Sequence, residues 1–284
     1  MKFNFYRRSD NRISFSPYLK VQLLDRDLIF NSLKDIVPFI MACIDKGYYV
    51  QPTVNEYFLP DSVAYQQKHL VHETLIYGYD KQTFIGIGYN KQGDYATYHI
   101  AFSELEQAIV LADLTHHYDS EGLRIFKYAS HKKYNFDIHL VQEQLTDLLY
   151  ARNTSQRFRM LANPDDGAYG LATYECLKHF LASFLYPPFS FDIRPAHILW
   201  EHKKCMVDRL KYMENHGYLK SEYGFSTEYG ELARNTGMVR MMLLKFKITR
   251  NPDLIHRVLS SLGKIAESEK ILLQNLLDKL HGSI

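Results

Sequence analysis

The segment His72-Glu73-Thr74-Leu75-Ile76-Tyr77-Gly78-Tyr79-Asp80 begins with a histidine and continues as an apolar run that predicts a β-strand. A histidine at the start of a strand can be held through one ring nitrogen while it presents the other to a cleft. A general base beside a nucleophile needs that arrangement. From the spacing alone, however, a structural histidine at a loop–strand junction is the favoured interpretation.

The surrounding segments add a resemblance to a known family. Val54-Asn55-Glu56-Tyr57-Phe58-Leu59-Pro60 precedes His72, and two further predicted strands and Ser103-Glu104-Leu105-Glu106 follow it. This pattern resembles the histidine region of the peptidases that process bacteriocin leaders. It resembles more closely the N-terminal domain of the butirosin-biosynthesis acyltransferase family. The later segments that resemble the helical tail of that family are Ile193-Arg194, Glu201-His202-Lys203 and Leu244-Lys245-Phe246-Lys247-Ile248-Thr249.

The resemblance implies a fold, a chemistry and partners. The expected fold class is α+β: a papain-like (cysteine peptidase-like) antiparallel sheet domain at residues 1–140, followed by a mainly helical domain at 141–284. The implied chemistry is acyl transfer or amide cleavage in peptide natural-product biosynthesis, including nonribosomal peptides. The implied partners are an acyl or peptidyl carrier protein and a small-molecule or peptide substrate, and no cofactor is expected.

The resemblance also implies roles for individual residues. His72 would be the base, and Asn90 would orient it because Asn90 ends the next predicted strand; Asp94 is the alternative. In the family a cysteine nucleophile lies upstream of the histidine, and Cys43 is the only upstream cysteine, 29 residues before His72 (72 − 43). Cys43 lies near the C-terminal end of a predicted apolar helix, where the helix dipole disfavours a thiolate. We therefore interpret Cys43 as a core residue, with catalysis as the alternative.

The missing nucleophile leaves two function hypotheses open. In the first, the chain is a papain-like acyltransferase or amidase-related protein that acts on carrier-bound acyl or peptidyl groups. In the second, it is a catalytically degenerate family member, a pseudoenzyme, that serves as a binding or scaffold partner of carrier or synthetase proteins. A third class, a helical regulatory or nucleic-acid module, is disfavoured because no helix-turn-helix pattern is evident and the formal net charge is only +2.

Four other groups of residues have types or spacings that could form a metal or ligand site. His197, Glu201 and Cys205 are spaced i, i+4 and i+8 on one predicted helix face, but a polar contact between helices is favoured over a metal site. His116 and His117, with Asp113 and Asp119 nearby, are interpreted as a solvated loop. Gly86-Ile87-Gly88 lacks the strand–turn–helix context of a nucleotide-binding loop. Basic residues that form solvated helix faces, or alternatively a patch for an acidic carrier domain, are Lys203, Lys204, Arg209, Lys211, Lys245, Lys247 and Arg250.

Composition bounds the class of protein. The 284 residues are 46% hydrophobic, enough for a sizeable core in one large or two modest domains. Three widely spaced cysteines predict neither a disulfide framework nor a structural zinc site. The basic N-terminal residues are not followed by an apolar signal segment, and apolar stretches are broken before the length of a membrane span. We therefore expect a cytoplasmic protein without a membrane or nucleic-acid partner; the oligomeric state is left open.

Periodicity predicts the elements that must position these residues. A helix is predicted over Ile29–Lys46, where Pro38 either kinks it or marks its true start. A capping box at Ser103 and Glu106 predicts the start of a helix over Leu105–Leu114. Strands are predicted at Ile13–Phe15, Tyr48–Val54, His72–Tyr79, Phe84–Tyr89, Tyr95–Ile100, Ile125–Tyr128 and Tyr134–Ile138. Helices are predicted at Val141–Tyr150, Gly170–Leu185, His197–His216, Thr227–Lys247 and Pro252–Leu280.

Overall fold

The computed structural model describes residue 16 and the ranges 18–32, 35–112, 122–130, 135–157 and 167–281. The chain divides into two compact units, one within residues 6–135 and the other within 136–284. The first is built on an antiparallel sheet and the second is helical. The predicted α+β class with a helical C-terminal half is therefore confirmed.

Among its described residues, the first unit has a seven-stranded antiparallel sheet and three α-helices. Its strands are β1 (Leu19–Asp25), β2 (Tyr49–Asn55), β3 (Val71–Glu73), β4 (Leu75–Tyr79), β5 (Thr83–Tyr89), β6 (Tyr95–Ala101) and β7 (Gly122–Tyr128). Its helices are α1 (Arg26–Ser32), α2 (Ile36–Asp45) and α3 (Phe102–Val110). Neighbouring strands follow the order β1-β7-β2-β4-β5-β6, and β3 pairs with β2.

The core of this unit explains why the apolar residues alternate along the strands. Val50, Ile76 and Phe84 are fully buried, as is Ile40 of α2 and Leu105 of α3. Because successive strand residues point to opposite faces, buried and less buried residues alternate at Phe84 and Gly86 of β5 and at Leu123 and Ile125 of β7. The packing fixes the register of the sheet, since a shift by one residue would turn the apolar set outwards.

Several predicted elements of this unit have different bounds in the structure. The predicted helix Ile29–Lys46 is two helices in the structure, because Asp35 caps the N-terminus of α2. The Asp35 carboxylate accepts a hydrogen bond from Val37 N at 2.8 Å, and Pro38 lies in the first turn of α2. The predicted capping box was wrong, because α3 begins at Phe102 and Glu104, not Glu106, accepts from the backbone N–H of Ala101. Strand β1 was not predicted, and Ile13–Phe15 lies outside the described residues.

In the part of the second unit that the structure describes, five α-helices pack around one apolar core. They are α4 (Ile138–Leu149), α5 (Thr173–Ala182), α6 (Arg194–Asn215), α7 (Phe225–Thr249) and α8 (Pro252–His281), with short 3-10 turns at 154–157, 170–172, 183–185 and 221–223. The predicted strand over Tyr134–Ile138 was wrong. Asp137 caps α4 instead, accepting from Leu140 N at 3.0 Å, so Ile138 begins a helix.

A buried polar network crosses this helical core. Lys203 of α6 and Glu269 of α8 are 2% and 0% exposed, and their Nζ and Oε1 atoms are 2.6 Å apart. Tyr174 of α5 donates to Glu269 Oε2 at 2.7 Å, and Tyr229 of α7 donates to Oε1 at 3.1 Å. The sequence-based placement of Lys203 on a solvated basic face was therefore wrong, because its charge is satisfied by a carboxylate 66 residues away.

No helix among the described ranges combines the length and apolar character needed to cross a bilayer.

Candidate functional site

His72 lies on β3, where antiparallel pairing with β2 places it opposite Val54. Its side chain is 55% exposed, so the ring is open to solvent on one side. The Nδ1 atom is 3.3 Å from Oε1 of Glu56, within hydrogen-bond reach. Glu56 opens the 3-10 turn Glu56–Phe58 directly after β2, and its side chain is only 18% exposed. The strand pairing thus brings a half-buried carboxylate against the histidine.

The Glu56 carboxylate is itself held in place. Its second oxygen, Oε2, accepts a hydrogen bond from the Ser62 hydroxyl at 2.6 Å. Ser62 Oγ in turn accepts from the backbone N–H of Ala64 at 3.0 Å, and the backbone N–H of Glu56 donates to Leu70 O at 2.8 Å. One carboxylate oxygen therefore faces His72 while the rest of the group is fixed by the loop that follows β2.

The contact shifts the pKa of both partners. The hydrogen bond to Glu56 raises the pKa of His72 above its ordinary value, although partial burial opposes the rise and Glu73 adds to it. Burial alone would raise the pKa of Glu56, but the hydrogen bonds from His72 and Ser62 outweigh it and bring that pKa below its usual range. Glu56 is therefore an ionised acceptor for the imidazole.

An ionised carboxylate can only accept, so it fixes the tautomer of the neutral ring. Nδ1 carries the hydrogen that Glu56 accepts, and Nε2 is left as the basic nitrogen. Among the described residues, Nε2 of His72 has no hydrogen-bond partner. A histidine oriented by a carboxylate through Nδ1, with a free and exposed Nε2, has the geometry of a general base.

His69, three residues earlier, has different partners. Its Nδ1 is 2.9 Å from Nδ2 of Asn55, and its ring stacks on Tyr57 at a centroid distance of 4.4 Å. The Asn55 amide also donates to Leu111 O at 3.2 Å, and its oxygen accepts from Tyr57 N at 3.1 Å. These contacts brace the end of β2, the residue immediately before Glu56.

Asn90 lies in the turn between β5 and β6. Its side-chain oxygen accepts from Gln92 N at 3.0 Å and from Asp94 N at 2.9 Å, so it stabilises its own turn. The side chain that the structure places against the His72 ring is Glu56. Sequence reasoning missed Glu56 because it was counted only as part of the segment preceding the histidine.

Cys43 lies in the last turn of α2 and is 7% exposed within the apolar core. Burial raises the pKa of its thiol, and the nearby Lys46 compensates only in part. A reactive cysteine needs exposure and a lowered pKa, and Cys43 has neither. These features agree with its interpretation as a core residue. The catalytic roles of His72, Asn90 and Cys43 stay predictions.

The other candidate groups do not form a metal centre within the described ranges. His197 lies 5.5 Å from the Trp200 ring, Glu201 pairs with Lys204 at 3.5 Å, and Cys205 is exposed. No group of three or more metal-ligating side chains occurs in the part of the chain that the structure describes. The pair His116 and His117, with Asp113 and Asp119, lies outside it.

A scan against protein-family models gave no match to this chain, and a search of curated proteins also found none.

Proposed function

We propose that this chain is a papain-like acyltransferase or amidase-related protein of peptide natural-product biosynthesis, in which His72 is the general base and Glu56 orients it. The observation that carries the proposal is the contact of His72 Nδ1 with Glu56, which leaves Nε2 as the basic nitrogen of a side chain that is 55% exposed. The antiparallel sheet that supports both residues agrees with the fold implied by the resemblance of the His72 region. The proposed substrate is an acyl or peptidyl group held as a thioester on a carrier protein.

The proposed reaction is direct transfer to an acceptor. Nε2 of His72 removes a proton from the acceptor amine, hydroxyl or water as that group attacks the thioester carbonyl carbon. The new C–N or C–O bond forms, the C–S bond breaks, and the imidazolium returns the proton to the departing thiolate. Glu56 stabilises the imidazolium in between. This route requires no protein nucleophile, and among the described residues Glu56 is the side chain within hydrogen-bond reach of the His72 ring.

A second candidate function is a catalytically degenerate relative that binds carrier or synthetase proteins without covalent chemistry. The observation in its favour is Cys43: this buried thiol with a raised pKa is unsuited to covalent catalysis. The two candidates differ in whether the His72–Glu56 pair moves protons, so one assay separates them.

The assay uses a small acyl thioester, such as an N-acetylcysteamine thioester, with an amine acceptor, and follows thiol release and amide formation. We expect His72→Gln to lower the rate by roughly 10²- to 10⁴-fold, the usual contribution of a general base. Glu56→Gln should cause a smaller loss, because an amide can still hold Nδ1–H. The control is His99→Gln, since Nδ1 of His99 on β6 lies 3.7 Å from the carboxylate of Asp80, which follows β4, and both side chains are more than half exposed.

Cys43→Ala completes the test. Direct transfer predicts that this variant keeps the wild-type rate. Loss of activity in Cys43→Ala with the fold intact would instead show a covalent route. If the wild-type chain does not exceed the His72→Gln background, the enzyme proposal fails and the binding function is favoured.

A further inference from the structure

Tyr98 of β6 is packed against two glycines of β5. In the strand register Gly86 lies opposite Tyr98. A methyl group added at Gly86 would lie 3.1 Å from Cε2 of the Tyr98 ring, and one at Gly88 would lie 3.0 Å from its hydroxyl oxygen and 3.1 Å from Cε1. These distances are shorter than ordinary carbon contacts. Because Gly86 and Gly88 have no side chains, one face of β5 has space for the Tyr98 ring, which lies across it.

The Tyr98 hydroxyl reaches the strand that carries His72. It forms a hydrogen bond with the hydroxyl of Thr74, a residue that is 5% exposed and lies between β3 and β4. The backbone N–H of Thr74 donates to Pro52 O at 3.2 Å. Thr74 is two residues after His72 and directly follows β3. Tyr98 thus ties β6 to the residue two positions after the histidine.

The charge of Glu56 also acts on Tyr98. Burial raises the pKa of Tyr98, the bond with Thr74 opposes the rise, and the negative charge of Glu56 adds to it. The Tyr98 hydroxyl is therefore neutral at neutral pH. The charged groups that act on His72 itself are Glu56 and Glu73.

We infer that Tyr98 is a positioning residue: its ring, seated on Gly86 and Gly88, and its hydroxyl, bonded to Thr74, hold the His72 segment against Glu56. Its role in catalysis depends on the proposed function, whereas its effect on the His72–Glu56 contact can be measured without any activity. A free Thr74 side chain would let the short strand β3 shift relative to the 3-10 turn that carries Glu56.

The chain contains a matched control. Tyr77 and Thr97 form a second tyrosine–threonine hydroxyl contact, 3.1 Å long, between β4 and β6. Thr97 precedes Tyr98, so this contact lies on the opposite face of β6, and both residues are exposed. Tyr77→Phe therefore removes a tyrosine–threonine hydroxyl contact of the same kind from the same sheet and leaves the contact between Tyr98 and Thr74 in place.

The test is an NMR titration of the His72 ring in the full chain, with its signal assigned by its loss in His72→Gln. Tyr98→Phe and Thr74→Val should each move the His72 pKa down towards its ordinary value, and Tyr77→Phe should leave it unchanged. In the thioester assay the first two variants should lower kcat/KM by roughly three- to tenfold, the effect of one hydrogen bond, and shift its acidic limb to lower pH. The double variant should be no worse than either single one.

Each outcome bears on one proposal. A His72 pKa in Tyr98→Phe equal to that of the wild type overturns the positioning role, whatever the activity. A raised wild-type pKa that falls in both variants supports it, even if the wild-type chain transfers no acyl group and the proposed function fails. Gly88→Ala keeps every hydroxyl but displaces the ring, so it should reproduce the Tyr98→Phe shift; an unchanged pKa there would also count against positioning.

Discussion

The ion pair between Lys203 and Glu269 makes a strong prediction about stability. Both side chains are almost fully removed from solvent, and the carboxylate is bonded to Lys203, Tyr174 and Tyr229. Burial raises the pKa of Glu269, but the charge and hydrogen bond of Lys203 outweigh it and hold that pKa below its ordinary value. Glu269 is therefore ionised at neutral pH, and removal of the lysine leaves a buried charge.

The perturbation is Lys203→Met, which keeps the straight apolar stem and removes the ammonium group. Removing one partner of a buried pair costs about 3–5 kcal/mol, because the other charge cannot be solvated. In a unit of this size, about 150 residues, 1 kcal/mol corresponds to roughly 2–4 °C of Tm. The expected loss is therefore roughly 6–20 °C for the helical unit.

The double variant Lys203→Met/Glu269→Gln isolates the pair. It removes both charges and keeps an oxygen that can accept from Tyr174 and Tyr229. Replacing both members of a buried ion pair often leaves the free energy of unfolding almost unchanged. The double variant should therefore be more stable than Lys203→Met alone by at least about 1–2 kcal/mol. The control is Lys204→Met, because Lys204 is 51% exposed and its pair with Glu201 should contribute less than about 1 kcal/mol.

The assay is native-state hydrogen exchange read on peptides of α6 and α8, because a chain with two units need not unfold in one transition. Equal exchange in Lys203→Met and Lys204→Met would refute the reasoning. So would a double variant whose loss is the sum of the two single losses, since additivity means that the two charges do not interact.

Two further predictions concern the same unit. Burial, together with the charge of Lys203, lowers the pKa of His202 to about 4. Because the unfolded state then binds more protons than the folded state below about pH 6.5, the free energy of unfolding should fall by up to about 2 kcal/mol between about pH 7 and 5. Urea denaturation at a series of pH values measures this fall, and His202→Gln should make it smaller. Gly170→Ala should cost at least about 2 kcal/mol more than Gly217→Ala in the same measurement. Both glycines have positive φ (50° and 74°), but only at Gly170 would the new methyl lie 2.2 Å from the Leu148 carbonyl oxygen, whereas Gly217 faces open space.

The sequence predicted elements better than it predicted partners. The strands β2, β5 and β6 follow from alternating apolar residues, and α6, α7 and α8 follow from helical periodicity, because both patterns are local. Strand β1 was missed because none of its seven residues is buried. Its seven residues are held mainly by backbone pairing with β7, from Leu19↔Tyr128 to Asp25↔Gly122, and that pairing leaves no mark in the hydropathy pattern.

The partner of Lys203 could not be predicted for a related reason. Two adjacent lysines on a helix look alike in sequence, yet Lys203 points into the core and Lys204 into solvent, since neighbouring helix positions differ by about 100°. Which of them meets a carboxylate depends on how α8 packs on the bundle, where Glu269 is one acidic residue among several. Only the tertiary arrangement distinguishes a basic surface from a buried ion pair.

Glu56 is the instructive intermediate case, because a register argument could have found it. Val50 pairs with Ile76 and Val54 with His72, so the residue numbers in each pair of this antiparallel ladder sum to 126. Continuing the ladder puts Asn55 opposite Val71 and brings the next residue, Glu56, to the end of the histidine strand, diagonal to His72. The predicted strands 48–54 and 72–79, once paired, imply that diagonal. The sequence favours Asn90 because the next strand along the chain is expected to end beside the histidine, whereas the carboxylate in contact with His72 directly follows the strand before it.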